Sequence, residues 1–373
     1  MLKLGNLVYI FIFLLSYSCN QKAVKIEYLQ NESEELNISS LFSSIQTIVL
    51  ETRDDALIGE ISLVRYGENR IFILDKRRAL SVFVFDGEGN FIKKIEGGWT
   101  GPGYLNFPDH LVVLKDELMI YDPRQNKVMV FSLEGSFKHE SSLKDTGIYA
   151  LDMIANKGEA VFFDFYSEPN SLFRLVDVNG EEAVNQLNEF EEVKVVSGRR
   201  LPYVSLTKDN KIRVQLPGSF CYYEYDKAGL SNYECLDFGE ENNFQGQSEV
   251  IFKDYYEELV QKELSMLRGE FVDLTGHSLF SIQQGAAVIF SIYDKEENKA
   301  YPIRLKNDLG GICPDIESLP AYNVHPGELT LGFFPGDLKL IYAQSDKQQE
   351  LLDFFKTKAI EDSDNPILFR LIE

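Results

Sequence analysis

Residues 61–95, ISLVRYGENRIFILDKRRALSVFVFDGEGNFIKKI, decide the fold. Four short apolar runs, Ile61–Arg65, Arg70–Leu74, Ser81–Phe85 and Phe91–Ile95, are separated by Gly/Asn, Asp/Lys/Arg and Gly-Glu-Gly-Asn turns. Runs of β-branched and aromatic residues with turn formers between them make a four-stranded antiparallel meander. The pattern returns at 110–140, HLVVLKDELMIYDPRQNKVMVFSLEGSFKHE, with Asp122 47 residues after Asp75 and Gly135 46 residues after Gly89. A third copy runs through Glu159–Asp164 and Leu172–Asp177, and a fourth through Lys211–Leu216 and Tyr222–Asp226, with Gly180 and Gly229 as the matching turn glycines. The fifth is delayed by 247–269, where Ile251, Tyr255, Leu259 and Leu264 stand at roughly helical spacing. It continues as SLFSIQ (278–283), AVIFSIYD (287–294) and AYPIRL (300–305). The last unit offers ELTLGFF (328–334) and LKLIYAQ (338–344) as strands, then a short helix from Gln348 to Lys358 and a final strand Ile367–Ile372.

Repeats of about 45 residues with four strands each imply propeller blades. The expectation is an all-β, six-bladed β-propeller of four-stranded antiparallel blades over 45–373, with a helical insert after blade four. The spare segment Ile45–Glu51 (IQTIVLE) is expected to pair with the C-terminal strand and close the last blade.

The chain carries 37 basic and 59 acidic residues, a formal charge of −22. So acidic a surface is repelled by phosphate backbones, which argues against nucleic-acid binding. The aromatic share of 13%, with 27 Phe and 19 Tyr, favours sheet.

Leu7–Leu15 (LVYIFIFLL) follows Lys3 and precedes small residues and Cys19. This is a signal peptide over 1–18, too short to span a bilayer. Leu15-Ser16-Tyr17-Ser18-Cys19 resembles a bacterial lipobox, which makes Cys19 the lipidation site of a tether over 19–44 with little structure; ordinary cleavage beside an incidental cysteine is the alternative. Acyl chains on Cys19 would anchor the protein to the outer or another cell-envelope membrane. Asn20, Gln21 and Lys22 lack an acidic export run, which favours the periplasmic side. Cys221 and Cys235 flank a hairpin symmetrically and face each other either as a disulfide or as two buried thiols.

Segments 50–64 (LETRDDALIGEISLV), 70–95, 101–111 (GPGYLNFPDHL) and 362–373 (DSDNPILFRLIE) resemble the family of bacterial exported six-bladed β-propeller lipoproteins with NHL-like blades. That resemblance covers nearly all of the mature chain and implies a fold. It transfers no activity and no catalytic residues.

No catalytic signature stands out. The sequence holds no GxSxG elbow, P-loop or HExxH motif. Its four histidines, His110, His139, His277 and His325, fall in different units, and His139 takes an outermost-strand position that points away from a channel; no metal or other cofactor is expected. Asp75, Asp122 and Asp164 recur at the ends of second strands, where turn carboxylates accept backbone N–H groups. In a meander, the loop after the second strand and the crossover to the next unit open on one face. That face receives Arg77, Arg78, Arg124, Lys127, Arg199 and Arg200, together with Trp99, Tyr104 and Tyr203. Arg forks read carboxylate or sulfate groups, and aromatic rings stack on sugars. The expected function is therefore a non-catalytic, lipid-anchored platform in the cell envelope for a protein partner or an anionic or glycan ligand. The alternative is a propeller lyase or hydrolase with its site at the central channel.

Overall fold

The computed structural model describes residues 24–30, 33–98, 101–146, 148, 150–166, 172–177, 204–215, 221–226, 229–239, 260–320 and 325–373. Most of the insert expected at 247–269 lies outside them.

The local reading of 61–95 holds. Leu63–Gly67, Arg70–Asp75, Ser81–Asp86 and Phe91–Ile95 pair in order as a four-stranded antiparallel sheet. His110–Leu114, Glu117–Asp122, Lys127–Ser132 and Phe137–Ser142 form a second. Strand Arg70–Asp75 sends Phe72 and Leu74 into a core shared with Leu111, Leu118 and Ile120 of the second sheet. Its Ile71 and Ile73 enter another core with Ile48 and Leu368. Because successive side chains point to opposite faces, a sheet packed on both sides needs a continuous apolar run, and IFIL supplies one. Ala150–Asn156, Glu159–Tyr166 and Leu172–Val176 make a three-stranded sheet.

The spare N-terminal strand sits where its pattern placed it. Ser44–Val49 pairs antiparallel with Ile367–Ile372, Ile45 opposite Leu371 and Val49 opposite Ile367, and Glu328–Phe333 completes a three-stranded sheet.

The expected six-bladed propeller of four-stranded blades does not form. The remaining strands are fused into one mixed, ten-stranded sheet, and the others hold only four, four, three and three described strands. The fusion is made by Val24–Tyr28. It pairs in parallel with Gly229–Asp237 on one side and Lys299–Lys306 on the other. Glu34–Asn37 adds a further parallel pairing to Lys299–Lys306. Much of the unstructured tether expected over 19–44 is thus sheet, and it covers two strand edges that separate blades would leave open. The end strands of this large sheet, Val204–Leu206 and Ser265–Asp273, approach each other, and Lys208 N donates to Asp273 Oδ2 at 2.9 Å. The sheet is accordingly a nearly closed, barrel-like body filled by Tyr222, Leu236, Leu267, Phe271 and Phe280.

LKLIYAQ, expected as a strand, is mostly helix. Pro335–Ile341 is helical, with Pro335 pre-set for the first turn and Asp337 and Lys339 placed favourably towards the helix dipole. The helix expected from Gln348 to Lys358 forms and buries Leu351 and Phe355. Among the described residues, no helix is long and apolar enough to cross a membrane.

Candidate functional site

The recurring aspartates are structural. Asp75 Oδ2 accepts Gly59 N and Glu60 N at 2.9 and 3.0 Å, and its Oδ1 accepts Arg78 N at 2.8 Å. Asp122 repeats the arrangement with Asn106 N (2.6 Å), Phe107 N (2.9 Å) and Gln125 N (3.1 Å). Each carboxylate pins the second-strand turn to the preceding crossover, and both are fully buried. The side chain of Asp164 lies outside the described set.

Of the candidate binding residues, Arg77, Arg78, Tyr104 and Arg124 are described and exposed. Arg77 pairs with Glu60 at 3.1 Å, Arg124 lies over the Phe107 ring at 4.5 Å, and Lys127 bonds Glu140 of its own sheet. The cations with these partners pair with nearby acids or an aromatic ring, as ordinary loop residues do. Cys19, Trp99, Arg199, Arg200 and Tyr203 lie outside the described residues. Cys221 and Cys235 stand directly opposite each other and are joined as a disulfide.

Where the first strands of several sheets converge, a cluster of ionisable groups is buried or half-buried. Lys76 Nζ lies 3.1 Å from Asp109 Oδ1, and His110 Nε2 lies 2.9 Å from Asp109 Oδ2 without the alignment of a hydrogen bond. His110 Nδ1 is 3.5 Å from Asp152 Oδ1. Burial opposes ionisation of Asp109, but His110 and Lys76 hold its carboxyl well below the usual range. Asp152 accepts Met153 N (2.8 Å) and Val204 N (3.1 Å), tying the third sheet to the large one. Burial lowers Arg65 to about 10 against the opposing pull of Asp152, so it stays charged at neutral pH. Lys76, Asp109, His110 and Asp152 pair with one another, and Asp152 with the backbone as well. Among the described residues, no group of three or more His, Cys, Asp and Glu could hold a metal.

A cleft of about 840 Å³ opens between the far end of strand Lys299–Lys306, the end of Glu328–Phe333 and the stretch joining the two helices. That volume falls in the usual range of small-ligand sites. Leu305 and Ile316 exchange backbone hydrogen bonds, which fold 307–316 back and bring Asp315 and Glu317 beside Arg304. Arg304 Nη2 lies 3.2 Å from both carboxylates. Asp315 also accepts Asn307 N at 2.8 Å, and Lys347 Nζ donates to Asn307 O at 3.4 Å. Phe333, Ile341 and Tyr342 supply the apolar wall. Burial raises the Tyr342 phenol well above its ordinary value, so it remains a neutral O–H donor, and burial lifts the adjoining Cys313 thiol to about 12. Sequence reasoning missed both places. A polar residue within an apolar first strand, Arg65 in ISLVR or Asp152 in ALDMI, was the available signal for the buried cluster. The cleft had none, because its residues meet only through the 305–316 bridge.

Comparison places the protein first by fold. An exported protein of Bacteroides fragilis, so described, matches with a TM-score of 0.65 at 16% identity, over 94% of this chain and 100% of that one. A member of the duf4221 family from Bacteroides vulgatus matches with a TM-score of 0.52 at 9% identity, over 88% and 96%. Virginiamycin B lyase from Staphylococcus aureus reaches a TM-score of only 0.37 at 12% identity, over 66% and 73%, and carries no argument. No curated protein matches the sequence. The family described as "Domain of unknown function (DUF4934)" matches residues 22–371, and the chain belongs to it.

Proposed function

We propose that this chain is an exported, lipid-anchored binding protein of the cell envelope whose 304–347 cleft takes a polar ligand without strong net charge, a saccharide in the first instance. The observation that carries this reading is the cleft's composition. Three cations, Arg304, Lys306 and Lys347, are matched by Asp315, Glu317 and Asp346 around a wall that includes Phe333 and Tyr342. Balanced charges supply donors and acceptors without selecting a polyanion, and an apolar wall suits a sugar face. The signal-like leader, the lipobox-like segment at Cys19 and the Cys221–Cys235 bond support an oxidising, extracytoplasmic setting. The self-paired buried cluster gives the alternative reading, a central catalytic site, no comparable support.

The test is binding of the purified protein to an array of neutral, zwitterionic and polyanionic oligosaccharides, repeated with Arg304→Ala. The reading expects neutral or zwitterionic glycans to be retained and the variant to bind at least about tenfold more weakly. Retention of polyanions alone, or binding indifferent to the substitution, would reject it.

A further inference from the structure

We infer that the body sits directly against the bilayer, with the Asp294–Lys299 turn on the membrane side and the cleft held away from it. The inference rests on lipidation of Cys19 as proposed above, and otherwise on geometry. Residue 24 already belongs to the folded body. Val24 pairs with Glu234, Lys25 with Cys235 and Ile26 with Leu236, while Glu27 and Tyr28 pair with Lys299 and Ala300. Ile26 is fully buried, the Tyr28 hydroxyl meets Ser291 Oγ at 3.1 Å, and its ring stands edge-on to Phe238 at 4.9 Å. A strand hydrogen-bonded on both sides and packed in this way does not peel off to lengthen a tether. From Cys19 to Val24 there are five steps of chain, which reach at most about 18 Å.

The point of attachment is fixed as well. Asn298 Nδ2 donates to Lys25 O at 3.1 Å, so the chain enters the sheet beside the Asp294–Lys299 turn. From there Val24–Tyr28 runs parallel to Lys299–Lys306, whose far end carries Arg304 and Lys306 into the cleft. At about 3.3 Å per residue, Val24 lies roughly 25–30 Å from the cleft along the strand direction. A leash of about 18 Å cannot span that distance, so the body cannot stand on its cleft end with this strand upright. This decides against a competing orientation suggested by the exposed Leu340, Ile341 and Leu352, 76%, 50% and 40% accessible, since Ile341 itself borders the cleft. Lys25, Lys295 and Lys299 are mixed with Asp294, Glu296 and Glu297 at the membrane end, so anionic lipid is not what holds it there.

The experiment uses the full, acylated chain reconstituted into phosphatidylcholine vesicles bearing a nitroxide on the headgroup. Bimane is attached in turn to Glu297→Cys and Asp346→Cys; the native Cys313 is buried and Cys221 and Cys235 are bonded, so only the introduced thiol reacts. Quenching is expected to be several-fold stronger at position 297 than at 346, and to be unchanged by salt. Inserting twenty Gly/Ser residues between Gln21 and Lys22 is expected to erase the difference. Equal quenching in the unmodified chain, stronger quenching at 346, or a difference that survives the insertion would overturn the orientation. Cys19→Ser separates the two readings. Release into the soluble fraction upholds the anchor whatever the quenching shows, and retention on the membrane removes the anchor and the orientation together.

Discussion

Arg213 and Arg304 each bridge two carboxylates, yet they belong to different kinds of structure. Arg213 is 4% exposed, lies 2.7 Å from Glu224 and 3.3 Å from Asp273, and stands 4.7 and 4.8 Å from the centres of the mutually edge-on Tyr222 and Phe271 rings. Arg304 is 49% exposed and holds Asp315 and Glu317, each at 3.2 Å, on the lip of a cleft. The first pair ties the strand Ile212–Gln215 to the end of Ser265–Asp273, where the large sheet nearly closes. The second can exchange a partner for a ligand, because water already screens it. Similar chemistry is architecture when buried among its partners, and recognition when half-open.

The sharpest way to break that distinction is Arg213→Ala. Removing one member of a buried ionic group leaves Glu224 and Asp273 without their shared cation, which costs about 3–5 kcal/mol. Urea unfolding should show a large loss of stability; a loss under about 1 kcal/mol would mean the network is not holding the sheet. Asp122→Ala comes next. It strips acceptors from three backbone N–H groups in a buried turn, and a loss of about 2–3 kcal/mol is expected in the same measurement.

A pH series probes the buried side in another way. Burial, then the positive charges of Arg65 and Arg370, lower His325 from 6.5 to about 3. The folded chain therefore refuses a proton that the unfolded chain accepts below about 6.5. Stability from this group is complete above that pH and falls as pH drops towards 3. His325→Gln should flatten the dependence of stability on pH between about 6.5 and 5.5, above most of the carboxylate range. An unchanged slope would place the imidazole in contact with water.

What was legible in the sequence divides along the same line. Arg70–Leu74 announced a strand, Asp75 and Asp122 announced their turns, and Ile45–Glu51 announced its pairing with the tail. Each of those readings needed only local pattern or strict repetition. Val24–Tyr28 was illegible as sheet because its charged, alternating sequence sits in a polar stretch and its partners lie more than 200 residues away. That one strand converts two expected blades into a single sheet. The cleft was hidden for a related reason: Arg304, Asp315, Tyr342 and Lys347 are unremarkable residues until the 305–316 bridge and two helices assemble them.

The smallest expected effect is the most informative about function. Arg304→Ala removes two ion pairs at 3.2 Å, but the arginine is half exposed and Glu317 is 66% exposed, so solvent replaces most of what is lost. Exposed pairs contribute about 0–1 kcal/mol, and Asp315 keeps its hydrogen bond from Asn307 N. Unfolding of the variant should therefore match the parent within about 1 kcal/mol, in contrast to Arg213→Ala. A site that sacrifices nothing in stability yet loses ligand is one whose charges are arranged for the ligand. If Arg304→Ala instead destabilised the protein as much as Arg213→Ala, the cleft residues would belong to the architecture, and the contrast between the two arginines would dissolve.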